Sequence, residues 1–136
     1  GAFMHQQIIW VKSHGVLTRS WYLWRHEPCM FGWIRGQKPP KLSDVYPQSV
    51  WQVSKAESDT SDEHPTSKPV ELWELPILEH TRRGDICYEP FIGSGTHHIA
   101  AERLGRICYG MEIQPGFVAV TLERLKEMGL TPRLVP

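Results

Sequence analysis

Glu89-Pro90-Phe91-Ile92-Gly93-Ser94-Gly95-Thr96 is the stretch on which the fold turns. It joins an apolar run, Asp85 to Phe91, to a helical pattern, His97 to Leu104, that Gly105 stops. The run is short and bounded by turn-forming residues, so it reads as a buried strand. Gly93 and Gly95 let the backbone turn sharply at the strand's carboxyl end and approach a ligand with no Cβ in the way. Arg106 to Ile113 reads as a second strand. Pro115 opens a last helix, with Val118, Leu122 and Leu125 at i, i+4 and i+7, and Gly129 closes it. Strand, helix, strand, helix at this spacing predicts a βαβα unit with a parallel sheet. The fold class is α/β.

Upstream, Pro69 to His80 predicts a helix: Pro at its first position, Val70, Trp73 and Ile77 on one face, and Leu72, Leu75 and Leu78 beside them. Pro76 removes a backbone donor and crowds the preceding turn, so a kink or an early stop is expected there. The run 54–63 is polar and acidic with no apolar anchor, which reads as a surface loop. It separates a strand-rich part, 1–53, from the part 64–136 that carries the glycine turn. Strands are expected at Gln7 to Lys12, Cys29 to Ile34 and Ser49 to Val53, each short, β-branched and aromatic. Arg35 to Pro47, with Pro39-Pro40, is irregular. At 136 residues the chain has room for a single domain.

Composition narrows the function. Lys plus Arg equals Asp plus Glu at 15 each, so bulk charge does not announce a nucleic-acid binder, although a local patch is open. No run approaches the roughly 20 apolar residues that span a bilayer. Gly1 to His5 shows no basic region leading into an apolar run, so no secretory signal and no membrane association are expected. Cys29, Cys87 and Cys108 are odd in number, lack zinc-ligand spacing and sit in apolar runs. They read as small buried hydrophobes in a reducing, cytoplasmic setting. The seven histidines form no ligand set with carboxylates or Cys at fixed spacing; His97 and His98 start a helix and point two ways, so no metal is expected.

The carboxylate that ends the second strand, Glu112, stands about 20 residues past the glycine turn, where it can accept both hydroxyl protons of a ribose. Turn and carboxylate together describe a site for an adenosine-containing cofactor. A dinucleotide fingerprint needs a further glycine where His98 stands, and a phosphate loop needs a Lys after Gly95. Glu89 at the strand end repels a pyrophosphate and attracts a cation. S-adenosylmethionine, with its sulfonium and free amino group, suits that charge. A nicotinamide-dependent oxidoreductase is disfavoured by the missing glycine.

The blocks Glu89 to Thr96, Ala100-Ala101-Glu102-Arg103-Leu104-Gly105-Arg106 and Tyr109-Gly110-Met111-Glu112 closely resemble the cofactor motif of DNA amino-methyltransferases. These enzymes methylate the exocyclic amine of adenine or cytosine. His64-Pro65-Thr66-Ser67-Lys68-Pro69-Val70-Glu71-Leu72 resembles the segment that precedes the cofactor motif in the family's permuted beta class. Ile8 to Lys12, Arg19 to Tyr22, His26-Glu27-Pro28 and Phe31-Gly32-Trp33 resemble its stretch between catalytic loop and that helix. The resemblance covers nearly the whole chain, in the family's order. It implies a methyltransferase (Rossmann-like) sheet, and a cofactor site of Thr66, Ser67, Lys68, Glu89, Pro90, Phe91, Gly93, Ser94, Gly95, Thr96 and Glu112. Lys68 would meet the cofactor's carboxylate, with Thr66 or Ser67 donating a hydrogen bond or capping the helix. Duplex DNA is the implied partner. Trp21, Tyr22 and Trp24 lie in a basic stretch where aromatics can stack on bases and Arg can grip phosphates. Lys12, Arg19, Tyr22 and Arg25 are the candidate contacts. Trp10, Trp33 and Trp51 are expected to pack in the core.

The family usually has Asp where Glu89 stands and Thr where His97 stands. The larger departure concerns its chemistry, which rests on a tetrapeptide: Asp, Ser or Asn, then Pro-Pro, then an aromatic. The only Pro-Pro here, Pro39-Pro40, has Lys38 before it and Lys41 after it. The resemblance therefore implies that the chain begins after the catalytic segment, lacks a catalytic residue of its own and carries an incomplete sheet. The strand Asp85 to Phe91 would then have an unpaired apolar edge, open to self-association or to a second chain, unless the Trp10 strand pairs beside it. The expected activity is methyl transfer from S-adenosylmethionine to DNA, with this chain inactive alone. The alternatives are a non-catalytic remnant that binds cofactor or DNA, and a methyltransferase acting on RNA or a small molecule.

Overall fold

The computed structural model describes residues 1–54 and 68–133. Nearly all of the acidic run 54–63, and Thr66 and Ser67, lie outside them. Three strands form the first sheet: β1 (Ala2–Val16), β2 (Trp24–Ile34) and β3 (Val50–Gln52). β1 is central, antiparallel to β2 and parallel to β3. α1 (Val70–His80) follows, then β4 (Ile86–Glu89), α2 (Thr96–Arg103), β5 (Ile107–Gly110) and α3 (Pro115–Glu127). β4 and β5 pair in parallel with Cys87 beside Cys108 and Glu89 beside Gly110. The βαβα unit is as expected.

α1 serves two cores. Val70 and Ile77 pack with Cys87, Ile99, Ala100 and Ala101, where the two fully buried alanines let α2 come close. Leu72, from the same helix, packs with Trp10 and Val53 under the first sheet. This explains why α1 does not stop early at Pro76, against expectation: it runs on to His80. An interior proline costs about 3 kcal/mol, while each fully buried aliphatic side chain contributes about 1.5–3 kcal/mol. Three of them flank Pro76, so packing wins. Thr81 closes the helix, its N–H and hydroxyl both donating to the Ile77 carbonyl, at 3.0 and 2.6 Å. Arg106 then donates to the Thr81 carbonyl (2.6 Å) and to that of Leu104 (2.6 Å), fastening the end of α1 to the start of β5.

The second sheet is covered on one face only. Cys87 and Cys108 face the α2 side. Ile86, Tyr88, Ile107 and Tyr109 alternate with them and are 50–63% exposed. Among the described residues β4 pairs with β5 alone, and the Trp10 strand lies between β2 and β3 rather than beside it. On α3, Thr121 is buried while Val118 and Leu122 are exposed. The three cysteines are free thiols; burial pushes Cys108 up to about 11, with Cys87 and Glu89 adding to the rise. No helix among the described residues is long and apolar enough to cross a membrane.

Candidate functional site

The parallel strands β4 and β5 end on the same side, and the turn after β4 must reverse the chain into α2. Gly93 and Gly95 do this at φ +55° and +79°. A Cβ on Gly93 would meet open space, whereas one on Gly95 would lie 2.5–2.9 Å from the Thr121 side chain. The turn is held from two sides. Oε2 of Glu112 accepts the Gly93 N–H at 3.0 Å, and its Oε1 accepts the Gln114 N–H at 2.8 Å. From α3, the Thr121 hydroxyl donates to the Gly93 carbonyl (3.1 Å), and Arg124 Nη1 donates to the Ser94 carbonyl (2.8 Å).

Beside the turn is a cleft of about 190 Å³ lined by Lys68, Glu89, Phe91, Gly93, Ser94 and Thr96, with Trp73, Ile92, His97 and Phe117. Pro90, Gly95 and Glu112 do not line it. Glu89 is mostly buried; its Oε1 accepts the Phe91 N–H at 2.8 Å, which turns the carboxylate back over its own loop. The His97 ring stacks on Trp73 at 4.8 Å, nearly parallel to it, with Nδ1 3.6 Å from Glu89 Oε2. That is too long for a hydrogen bond, and Nδ1 has no other partner among the described residues. Burial holds His97 below its ordinary range although Glu89 pulls the other way. His98, also pushed down by burial, points elsewhere, toward Gly110. Among the described residues no three His, Cys, Asp or Glu side chains come together as a metal set.

Lys68 connects this cleft to the first sheet. Its Nζ lies 3.3 Å from Glu27 Oε2 and 5.8 Å from the centre of the Trp10 ring. Lys12 Nζ is 2.5 Å from the other oxygen of Glu27. Burial alone would raise Glu27, but the two ammoniums outweigh it and hold the carboxyl below its ordinary range.

Of the sequence-derived cofactor residues within the described part, Lys68, Glu89, Phe91, Gly93, Ser94 and Thr96 line this one cleft, while the four DNA candidates divide. Lys12 and Arg25 line a separate cavity of about 470 Å³ with His26, and Arg25 Nε donates to the Lys12 carbonyl at 3.1 Å. Arg19 and Tyr22 sit in the connection between β1 and β2, on the solvent. Sequence reasoning missed Trp73, Phe117, Thr121, Arg124 and the role of Glu27. Thr121 and Arg124 fall on one helix face at i, i+3, a signal that was present but without meaning until α3 was placed against the turn.

A family model described as DNA methylase matches residues 2–123. The chain is 28% identical over 144 residues to the type II methyltransferase M.HpaI of Haemophilus parainfluenzae, covering 92% of this chain and 46% of that protein. It is 36% identical over 81 residues to the DNA adenine methyltransferase YhdJ of Escherichia coli (strain K12), covering 58% and 28%. The crystal structure of the M1.HpyAVI–SAM complex matches with a TM-score of 0.77 at 25% identity, over 91% of this chain and 62% of that one. The PvuII DNA methyltransferase (cytosine-N4-specific) matches in fold, with a TM-score of 0.76 at 21% identity, over 99% and 54%. The chain spans less than half the length of these curated relatives. Its fold is an incomplete methyltransferase sheet of the Rossmann-like kind.

Proposed function

The chain belongs to the DNA methylase family, and from that premise we propose that it serves methyl transfer from S-adenosylmethionine to the exocyclic amine of adenine or cytosine in duplex DNA. Its own part is to hold the cofactor. The observation that carries this reading is that Lys68 and Glu89, opposite in charge, line one cleft beside the glycine turn. A methionine moiety presents a carboxylate and an ammonium, and this pair matches both.

The residues present fit the cofactor in two further respects. The open space over Gly93 leaves its backbone accessible. Each oxygen of Glu112 accepts one backbone N–H and keeps a lone pair for a ribose hydroxyl. When bound, the cofactor supplies an electrophilic methyl group on a sulfonium. Glu89 orients its amino end, Lys68 its carboxylate, Glu112 its ribose, and neutral His97 on Trp73 closes the wall behind Glu89.

Duplex DNA meets the β1–β2 connection in this reading. Trp21 there is 99% exposed, although Trp ordinarily buries most of its surface. The turn that carries it is built: Thr18 and Ser20 hydroxyls bond at 2.6 Å, and Ser20 Oγ donates to the Tyr22 carbonyl at 2.8 Å. Arg19 and Arg25 flank the aromatics and serve phosphates, and Tyr22 stacks. Lys12 contributes less, because Glu27 neutralises it.

Residues 1–136 hold no Pro-Pro tetrapeptide of the family's kind, so no group here grips the target amine. Losing one positioned polar contact in an active site costs about 100- to 1000-fold in rate. This chain alone is therefore expected to bind S-adenosylhomocysteine without methylating DNA. Calorimetry with S-adenosylhomocysteine tests the binding, with Glu89→Gln and Lys68→Ala each weakening it. Incubation with tritiated S-adenosylmethionine and duplex DNA tests turnover. Incorporation above a Gly95→Trp control would show a catalytic element within these residues. NADH binding in place of S-adenosylhomocysteine would overturn the cofactor.

A further inference from the structure

A buried nitrogen beside the glycine turn lacks a partner. His97 is 9% exposed, and its Nδ1 is sealed from solvent with no hydrogen bond to any described residue. A buried imidazole nitrogen left unpaired is costly, whether or not it carries the proton. The ring is held in this orientation by its stack on Trp73, with 4.8 Å between centres and 6° between planes. In that orientation Nδ1 faces Glu89, 3.6 Å from Oε2. The other carboxylate oxygen, Oε1, already accepts the Phe91 N–H at 2.8 Å. Glu89 thus has one oxygen fixed by its own loop and one that stands about half an ångström beyond hydrogen-bond reach of a donor. These two residues are also the places where the motif departs from the family's usual Asp and Thr, and they stand against each other.

A neutral imidazole carries one proton, and the partner of each nitrogen decides which of them holds it. With a carboxylate facing Nδ1, the proton belongs there, since a bare nitrogen would set its lone pair against the anion. Hydrogen bonds at reacting sites are often long before a ligand binds and tighten in the complex. A second proton keeps the Nδ1–H but adds a positive charge to the cleft wall, which burial already disfavours. The charged and titratable groups on the elements packed around His97 are Glu89 of β4, Lys68 across the cleft, Glu74 of α1 with its partner Arg103, Arg124 of α3, Cys108 of β5 and His98 of α2 itself. Lysine, arginine, cysteine and glutamate ordinarily titrate outside pH 5.5–7.5, which leaves the two histidines.

We propose that His97 is a positioning residue for the cofactor's amino end. As the neutral ring it donates Nδ1–H to Glu89 Oε2 and fixes the carboxylate that receives the ammonium; as the imidazolium it opposes that ammonium. The inference rests on the reading of this cleft as the S-adenosylmethionine site. Its sign follows from linkage: a cation bound beside His97 favours the neutral ring, so affinity for the cofactor falls as pH falls.

Titration calorimetry of the full chain at pH 7.5 and 5.5 compares S-adenosylhomocysteine with its desamino analogue, in which hydrogen replaces the amino group. S-adenosylhomocysteine should bind several-fold more weakly at pH 5.5, and the analogue alike at both. At pH 7.5, His97→Thr should weaken S-adenosylhomocysteine about tenfold, the scale of one hydrogen bond to a charged group, and leave the analogue nearly unchanged. Its affinity should no longer fall at pH 5.5. His97→Asn puts an amide N–H where Nδ1 stands and should recover affinity at pH 7.5 without recovering the pH dependence, whereas His98→Asn should keep both. Because loss of the Trp73 stack can disturb the fold, imidazole ¹⁵N shifts of the parent complex give a second arm, expected to report the proton on Nδ1 at pH 7.5. A proton on Nε2 alone overturns the inference. So does a His97→Thr variant that weakens both ligands equally, or that keeps the parent's pH dependence; in either case S-adenosylhomocysteine binding by the parent leaves the cofactor reading intact. A parent chain that binds no S-adenosylhomocysteine at pH 7.5 overturns that reading and the inference together.

Discussion

Oε2 of Glu112 accepts the backbone N–H of Gly93 across 3.0 Å, so the segment just after β5 holds the turn that leaves β4. The residue expected to read a ribose is also a strut of the loop that the cofactor approaches. Glu112→Ala removes both functions. It should weaken S-adenosylhomocysteine binding by about 1.5–3 kcal/mol, the range for hydrogen bonds to a charged group. Glu112→Gln keeps one acceptor oxygen and should lose less. Calorimetry decides; unchanged affinity in the alanine variant removes Glu112 from the site.

The two turn glycines should not respond alike. Both have positive φ, which costs a side-chain-bearing residue about 1–2 kcal/mol. Gly93→Ala pays only that, because its Cβ would meet open space. Gly95→Ala also drives a methyl to within 2.5–2.9 Å of Thr121 and pushes α3 off the turn. Urea midpoints should fall clearly further for Gly95→Ala. Equal losses would mean that α3 does not clamp the loop.

Protonation of His97 opposes folding. Burial puts its folded pKa below the ordinary histidine value of about 6.5. Below that pH the unfolded chain binds more protons than the folded one, so stability rises with pH. The neutral His97–Trp73 stack is fully stabilising above about pH 6.5 and loses its contribution as pH falls toward the folded value. His98 titrates in the same sense. His97→Thr should be less stable at pH 7.5, yet lose less of its urea midpoint between pH 7.5 and 5.5 than the parent. An equal or larger loss would place a charged histidine in the folded chain.

A parallel sheet is normally covered on both faces. Ile86, Tyr88, Ile107 and Tyr109 present an apolar face to solvent, next to an edge of β4 that no described strand pairs. The isolated chain should therefore self-associate through this surface. Sedimentation should show a concentration-dependent oligomer, and Ile86→Lys with Ile107→Lys should shift it toward monomer. A parent chain that sediments as a monomer at all concentrations would count against it.

What the sequence by itself determined is local. A glycine turn, an apolar run ahead of it and a carboxylate after the next strand are properties of consecutive residues, and they put Glu89 at the end of β4, Gly93 and Gly95 in the turn that follows and Glu112 beside it. Strand and helix order followed from periodicity for the same reason. Contacts between distant residues were decided only by the tertiary structure. Pro76 remains inside α1 because Leu72 is buried under the first sheet and Ile77 under α2, a cost set against packing on two separate cores. Thr121 and Arg124 lie about 30 residues beyond the turn they hold, and nothing in a stripe of Val118, Leu122 and Leu125 foretold that the polar side would be the buried one. Glu27 meets Lys68 only once β2 and the start of α1 come together. Hydrogen bonds and ion pairs of this kind depend on angles and separations of an ångström or less, which the periodicity of a sequence does not encode.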